Sequence, residues 1–303
     1  MAIDPASLER FSGFPDLYDA NRPSPPAGLG PLLASYANVR RPVVVDLGSG
    51  TGLSSRWAAT WASSVIGIEP NDEMRSVAAS HGTAGIEYRR GVAHETGLAE
   101  SSTDVVIIVQ AMHWMEPEPT LAEVARVLRP GGVLAVIDAD WPPVAGIAQV
   151  EEAWALMHGR IRVFEARLAR GESGELLRRP IEDSDPDRSG DDLVDPHRDR
   201  LLADGLRSWS KTDHLTRIAS SGHFSYTREL VMSGPVDGGA ERFKALMYSQ
   251  GSYQRLRKAD LTDAEIGADD FDREVTDGFA QAVAFPGLQF SWRARIGINQ
   301  RES

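Results

Sequence analysis

The stretch VVVDLGSGTGLSSRWAA, from Val43 to Ala59, decides the fold. It opens on a continuous branched apolar run, the pattern of a strand buried on both faces. Three glycines at alternate positions follow, Gly48, Gly50 and Gly52, and then a helical pattern. Glycine serves a backbone that must turn sharply and approach a ligand with no Cβ in the way. A strand, a glycine turn and a helix in that order hold the polar end of an adenosine-containing cofactor.

Two carboxylates narrow the choice of cofactor. A dinucleotide fingerprint spaces its glycines G-x-G-x-x-G, whereas this turn is G-x-G-x-G with Asp46 two residues ahead of it. A carboxylate there suits a cationic amine and sulfonium and would repel a pyrophosphate. Glu69 ends the next apolar run, about 20 positions beyond the first glycine, where an acid takes both ribose hydroxyls. An NAD-dependent oxidoreductase is the alternative that this spacing and Asp46 disfavour. A non-catalytic protein that binds the cofactor is the other.

Outward from the turn, SVIGIEP, IEYRRG, DVVIIVQA and VLAVIDA read as four more strands. Between them LSSRWAATWA, NDEMRSVAASHG and PTLAEVARVLRPGG read as helices, the second capped by Asn71 or Asp72, the third stopped by Pro-Gly-Gly. This alternation predicts an α/β fold, a Rossmann-like doubly wound sheet that is mostly parallel. The rhythm fails from about Pro142 to Arg207, where an amphipathic helix precedes an acidic run. A sixth strand at FSYTRELVMS, a second helical stretch and an antiparallel last strand at LQFSWRARIGI complete the chain. The domains expected are an N-terminal helical segment over the cofactor site (1–34), a Rossmann-like core (35–141), a helical insertion or lid (142–222), and C-terminal core strands with a second helical insertion (223–303). Ligands of open α/β sheets sit beyond the carboxyl ends of the strands, so both insertions are expected to roof the site.

Composition bounds the partners. The 303 residues carry a net charge of -12, without the basic footprint of a nucleic-acid groove. There is no cysteine, which excludes disulfides and thiolate metal sites. The N-terminus lacks a basic region followed by an apolar core, and the longest apolar run, VVIIVQAM, is far short of the roughly 20 residues that cross a bilayer. A cytoplasmic protein is expected, with no nucleic acid and no membrane partner. Lysine occurs only at 211, 244 and 258.

The motifs VVDLGSGTG, GIEPNDEM, GVAHETGLAESSTDVVIIVQAMHW and EVARVLRPGGVLAV resemble, in order and spacing, those of class I S-adenosylmethionine-dependent methyltransferases. They cover about residues 40 to 140. QAMHW and the earlier YDANRPSPP are similar to the small-molecule branch, which includes trans-aconitate-type and natural-product enzymes. The resemblance implies S-adenosyl-L-methionine as cofactor and S-adenosyl-L-homocysteine as product. It implies that Gly48, Ser49, Gly50 and Gly52 face the methionine part, that Asp46 lies near its amino group, and that Glu69 holds the ribose. Pro70 and Met74 would flank the adenine, Met74 offering a flexible thioether to the purine face. Val92, Ala93 and His94 would pass the adenine edge. The family often has an acid where this chain has His94, so a hydrogen bond from residue 94 to the adenine amine is in question. Gln110 and Ala111 end the fourth strand, where the methionine backbone is met.

Methyl transfer is displacement at an already activated carbon, which predicts few obligatory catalytic side chains. His113 and Trp114 follow the fourth strand, at the mouth where the methyl group lies. Histidine there is either a general base, since imidazole titrates near neutral pH, or a residue that positions the acceptor beside Trp114. Arg22 either pairs with the methionine carboxylate, with Tyr18 closing over it, or is an ordinary surface arginine before a turn. Glu165, Trp154, Phe164, Trp209 and Tyr248 read as substrate-side lining or as core. Asp185, Asp187, Ser189 and Gly190 begin like a calcium loop, but Pro196 stands where its bidentate glutamate belongs, so no metal is expected. The expected function is transfer of a methyl group to a small organic molecule at oxygen, nitrogen or carbon, a carboxylate or a natural-product intermediate among the candidates. A homodimer is left open.

Overall fold

The predicted apolar runs become the strands of one sheet: β1 Val43–Leu47, β2 Ser64–Ile68, β3 Ile86–Arg89, β4 Thr103–Val109, β5 Leu128–Ala139, β6 Phe224–Val236 and β7 Leu288–Asn299. This computed structural model describes residues 19, 21–181, 200–201, 207–285 and 287–300. The order across the sheet is β3-β2-β1-β4-β5-β7-β6. Strands β1 to β5 are parallel, and β7 runs antiparallel to both its neighbours. The chain leaves β1 toward β2 on one side while β4 lies on the other. The glycine turn after β1 therefore stands at the switch point where open α/β sheets bind ligands.

Alternation along the strands feeds two cores. Val44, Val105 and Ala135 belong to one, with α1 (Leu29–Tyr36), α2 (Leu53–Ala59) and the inserted helices. Val45, Val106 and Val136 belong to the other, with α4 (Pro117–Val127) and Ile218. Helix α3 (Asp72–Ser80) starts at Asn71, whose side chain accepts from the Met74 N–H at 3.1 Å, so the cap is Asn71 and not Asp72. One expected boundary is corrected. The run through LRPGG is not helical: α4 ends at Val127, and Leu128 already pairs with Thr103. Pro130 keeps the residue before it out of the helical region, which favours the strand.

The two insertions pack on each other. Helix α5 (Ala148–Ala169) is followed by the short α6 (Gly174–Arg178), and α7 (His214–Ser220) leads into β6. Between β6 and β7 stand α8 (Ala240–Tyr248), α9 (Gly251–Lys258), α10 (Asp263–Ile266) and α11 (Ala268–Gln281), and α5 lies against α9 and α11. Trp154 of α5 meets the rings of Phe243 and Phe271, so it and the equally buried Phe164 are core. Trp154 also stacks on Trp141, which meets Phe290 of β7 edge-on and ties the helical layer to the sheet. The acidic run with Asp185, Asp187, Ser189 and Gly190 lies outside the described residues. Among the described residues no helix is long and apolar enough to cross a membrane.

A charge ladder crosses the carboxyl end of the sheet. Arg295 of β7 donates to Asp138 of β5 and to Glu229 of β6, both at 2.8 Å, and its side chain and that of Asp138 are each 4% exposed. Removing one partner of a buried pair strands the other charge. Arg295→Met is expected to lower unfolding free energy by about 3–5 kcal/mol in urea titrations. Arg273→Met, which removes an exposed pair with Asp270, should leave the midpoint nearly unchanged.

Candidate functional site

The glycine turn is fastened to the neighbouring strand. Ile68 O, at the end of β2, accepts from Gly48 N at 2.8 Å and Ser49 N at 3.2 Å. Gly48, Gly50 and Gly52 all have positive φ, a region that a Cβ makes costly. Two of them are glycine for further and different reasons. A Cβ at Gly50 would meet nothing within 4 Å, so its backbone faces open space. A Cβ at Gly52 would fall 2.2 Å from the Tyr88 hydroxyl, so Gly52 seats that ring and does not line the cleft.

Glu69 crosses to the turn. Its Oε2 accepts from Gly50 N at 3.0 Å and its Oε1 from Asn71 N at 2.9 Å. Burial raises the Glu69 carboxyl, and these two amide bonds pull it back. Asp46 is fully buried below the turn, with Oδ2 accepting from Ser54 and Ser55 of α2 at 2.7 and 2.6 Å. Its Oδ1 has no hydrogen-bond partner among the described residues, and neither does Ser49 Oγ. Burial pushes the Asp46 carboxyl up to about 6 against the two serine bonds that lower it.

An open cleft of about 500 Å³, solvent at its mouth included, runs from this turn to the end of β4. Of the predicted residues it brings together Arg22, Gly48, Ser49, Gly50 and Gln110, and it adds Thr51 and Trp141. Among the described residues no acidic side chain lines it. The Arg22 guanidinium lies 4.8 Å over the Trp141 ring and donates to Ser249 O of the helical layer at 3.2 Å. Asp19 locks the entering segment down. It accepts from Thr51 Oγ1 at 2.7 Å and Arg56 of α2 at 2.6 Å, and its other oxygen lies 3.3 Å from His81 Nε2. Tyr18 lies outside the described residues.

The remaining predicted residues do not line the cleft. Met74 is buried on α3, and Pro70 is half-buried beside Glu69. Val92, Ala93 and His94 form a half-buried loop after β3, with His94 Nε2 buried and without a partner among the described residues. Ala111 faces Gly48: a Cβ on that glycine would fall 2.8 Å from the Ala111 methyl. His113 and Trp114 form a 3₁₀ turn (Met112–Trp114) with their rings 4.5 Å apart, next to the cleft-lining strand end and outside the cleft itself. The His113 carbonyl accepts from Trp209 N at 2.8 Å.

Sequence reasoning missed Asp19, Tyr88, Trp141 and Lys211. Asp19 is one of 44 acids, and only its place between Tyr18 and Arg22 offered a signal. Lys211 donates to Gln110 Oε1 at 2.7 Å and lies 3.1 Å from Asp138 Oδ1. Burial opposes ionisation of Asp138, yet the cations Lys211 and Arg295 prevail and hold its carboxyl at about 2. His214 is also buried here, both ring nitrogens without hydrogen-bond partners among the described residues, and burial pushes its imidazole down to about 4.

The chain is similar to known methyltransferases. The methyltransferase domain family matches residues 45–136. An uncharacterized methyltransferase of Mycobacterium tuberculosis is 40% identical over 123 residues, 40% of this chain and 48% of that protein. The chain thus spans about half the length of that relative. The phthiotriol/phenolphthiotriol dimycocerosates methyltransferase of Mycobacterium leprae is 32% identical over 191 residues, 62% of this chain and 67% of that protein. A solved structure from Anaeromyxobacter dehalogenans, named a candidate type II methyltransferase, superposes with a TM-score of 0.57 at 20% identity, covering 93% of this chain and 99% of that one. It shares the fold.

Asp46 generates a pH prediction. Its folded value lies above the unfolded one near ~3.9, so the folded state holds the proton more tightly and loses stability as pH rises from about 4 through about 6. At pH ~8 the loss amounts to about 3 kcal/mol. Asp46→Asn should therefore melt above the wild type at pH ~8, the gap closing toward pH ~4. Thermal unfolding across that range checks it, and a gap independent of pH contradicts it.

Proposed function

We infer the function from one premise: the chain belongs to the class I S-adenosylmethionine-dependent methyltransferases. From it we propose transfer of a methyl group to a small organic molecule, at oxygen, nitrogen or carbon, in the cytoplasm. The observation that carries this reading is the cleft at the switch point, where Arg22, Gln110 and the open backbone of Gly50 converge over the buried Asp46. The residues fit the cofactor. Gly50 leaves a cradle that a side chain would fill, and Ser49 Oγ and Asp46 Oδ1 are buried polar atoms awaiting partners.

When bound, S-adenosyl-L-methionine supplies a methyl group already activated on a sulfonium sulfur. The protein's part is to hold, align and exclude water. Arg22 and Gln110 would take the methionine carboxylate, and Asp46 would offset the positive charge of its amine. Glu69 keeps lone pairs for the ribose hydroxyls after accepting from Gly50 and Asn71. Met74 and Pro70 would flank the adenine. Trp141, backed by Trp154, forms an apolar wall between cleft and helical layer.

His113 positions the acceptor beside Trp114 in this reading, because the sulfonium supplies the driving force. A hydroxyl or amine acceptor gives its proton to His113 or to water, and a carboxylate acceptor has none to give. The helical layer, which reaches the cleft through Trp141 and Arg22, supports a small acceptor. The acidic net charge of -12 argues against nucleic acid. The relative from Mycobacterium leprae is named for phthiotriol and phenolphthiotriol dimycocerosates, and we carry over an organic acceptor without the compound.

Calorimetry tests the cofactor. The chain should bind S-adenosyl-L-homocysteine, and Glu69→Ala should weaken that binding by about 1.5–3 kcal/mol, the scale of hydrogen bonds to a charged group. NAD bound as tightly as S-adenosyl-L-homocysteine would overturn the assignment.

A further inference from the structure

Gln110 ends β4 in a left-handed conformation, φ +54, with its N–H donating to Ile137 O at 2.8 Å and its side chain on the wall of the cofactor cleft. An amide side chain can turn either its oxygen or its NH2 toward a ligand, and only its neighbours decide which. Here the neighbour is Lys211, whose Nζ lies 2.7 Å from Gln110 Oε1. An ammonium donates and never accepts, so Gln110 must give it the oxygen. The NH2 is left with Ala139 O at 3.4 Å, a long contact, and its second hydrogen has no partner among the described residues.

The ammonium is itself fixed. It lies 3.1 Å from Asp138 Oδ1, and the other Asp138 oxygen is held by Arg295 at 2.8 Å. The segment that carries it is docked to the same strand ends, with Trp209 N on His113 O at 2.8 Å and Arg217 of α7 donating to Ser210 O at 3.0 Å. Turning the Gln110 amide over would set its NH2 against the ammonium with no oxygen between them. That alternative is disfavoured before any ligand arrives.

We propose that Lys211 is a positioning residue: it holds the Gln110 amide with its NH2 available to the cleft, as a fixed donor for the carboxylate of the bound cofactor. This rests on the cofactor reading above. Lys211 need not touch the cofactor, and its positive charge is balanced locally by Asp138. Its effect passes through the orientation of one amide. Preorganised donors bind better because the ligand need not select one rotamer from two.

Calorimetry with S-adenosyl-L-homocysteine on the full chain tests it. Lys211→Met should weaken binding by about 5- to 50-fold, part or all of one hydrogen bond to a charged group. Lys211→Arg, which keeps a donor, should restore most of it. Gln110→Met should lose a similar factor, and the double variant Lys211→Met/Gln110→Met should bind no worse than Gln110→Met alone. Gln110→Glu separates positioning from fold support, and decides the matter if Lys211→Met does not fold. It gives Lys211 a carboxylate partner, so it should melt higher than wild type, yet bind at least 10-fold more weakly for want of a donor. Wild-type affinity in Lys211→Met or in Gln110→Glu, or losses that multiply in the double variant, would overturn the role of Lys211. A wild-type chain that takes up no S-adenosyl-L-homocysteine overturns the cofactor reading and this role with it.

Discussion

The Glu69 carboxylate is the constraint from which the site follows. One oxygen accepts the Gly50 N–H and the other the Asn71 N–H, so a single side chain joins the turn after β1 to the start of α3 after β2. Burying a carboxylate is costly unless hydrogen bonds meet it, and two backbone amides do so here. In return the glycine turn has one shape. Gly50 stays open to the cleft, Gly52 is free to seat Tyr88, and Asp19 finds Thr51 in place.

A second set of charges performs the same task on the other side of the cleft. From Glu229 on the outermost strand, through Arg295 and Asp138 to Lys211 and Gln110, paired groups run to the wall of the site. Buried ion pairs are weak evidence of stability, because desolvation cancels much of their attraction. What they confer is direction. Each member has a partner that limits its rotamers, so the late strands β6 and β7 contribute to a site built from early ones. That gives the end of the first insertion, which carries Lys211, and the last strands a reason beyond covering the sheet.

The strands and the glycine turn were legible because their signals are local. Strands buried on both faces write themselves as continuous branched runs, and Gly48, Gly50 and Glu69 belong to one strand–turn–helix–strand unit. The antiparallel last strand was legible for a similar reason, since LQFSWRARIGI returns after a long helical excursion. The Asp19 clasp and the Lys211–Gln110 bond were not. Lys211 lies 101 positions from Gln110, and Arg56 lies 37 from Asp19, so nothing in neighbouring residues announces either. The boundary at Leu128 was missed because LRPGG carries helix-stop residues, whereas its pairing with Thr103 is a tertiary fact. The rarity of lysine, present at three positions, was the sole hint that Lys211 is set apart from the arginines around it.

Methyl transfer itself is the central claim, and incubation of the purified chain with S-adenosyl-L-methionine labelled on its methyl group and a library of small metabolites tests it most directly. Label should move to one class of small acceptor, with one S-adenosyl-L-homocysteine formed for each methyl group delivered. Mass spectrometry should find the acceptor heavier by one methyl group in place of one hydrogen. Label that remains on the donor across the library, or moves only to protein or RNA added alongside, would contradict the account.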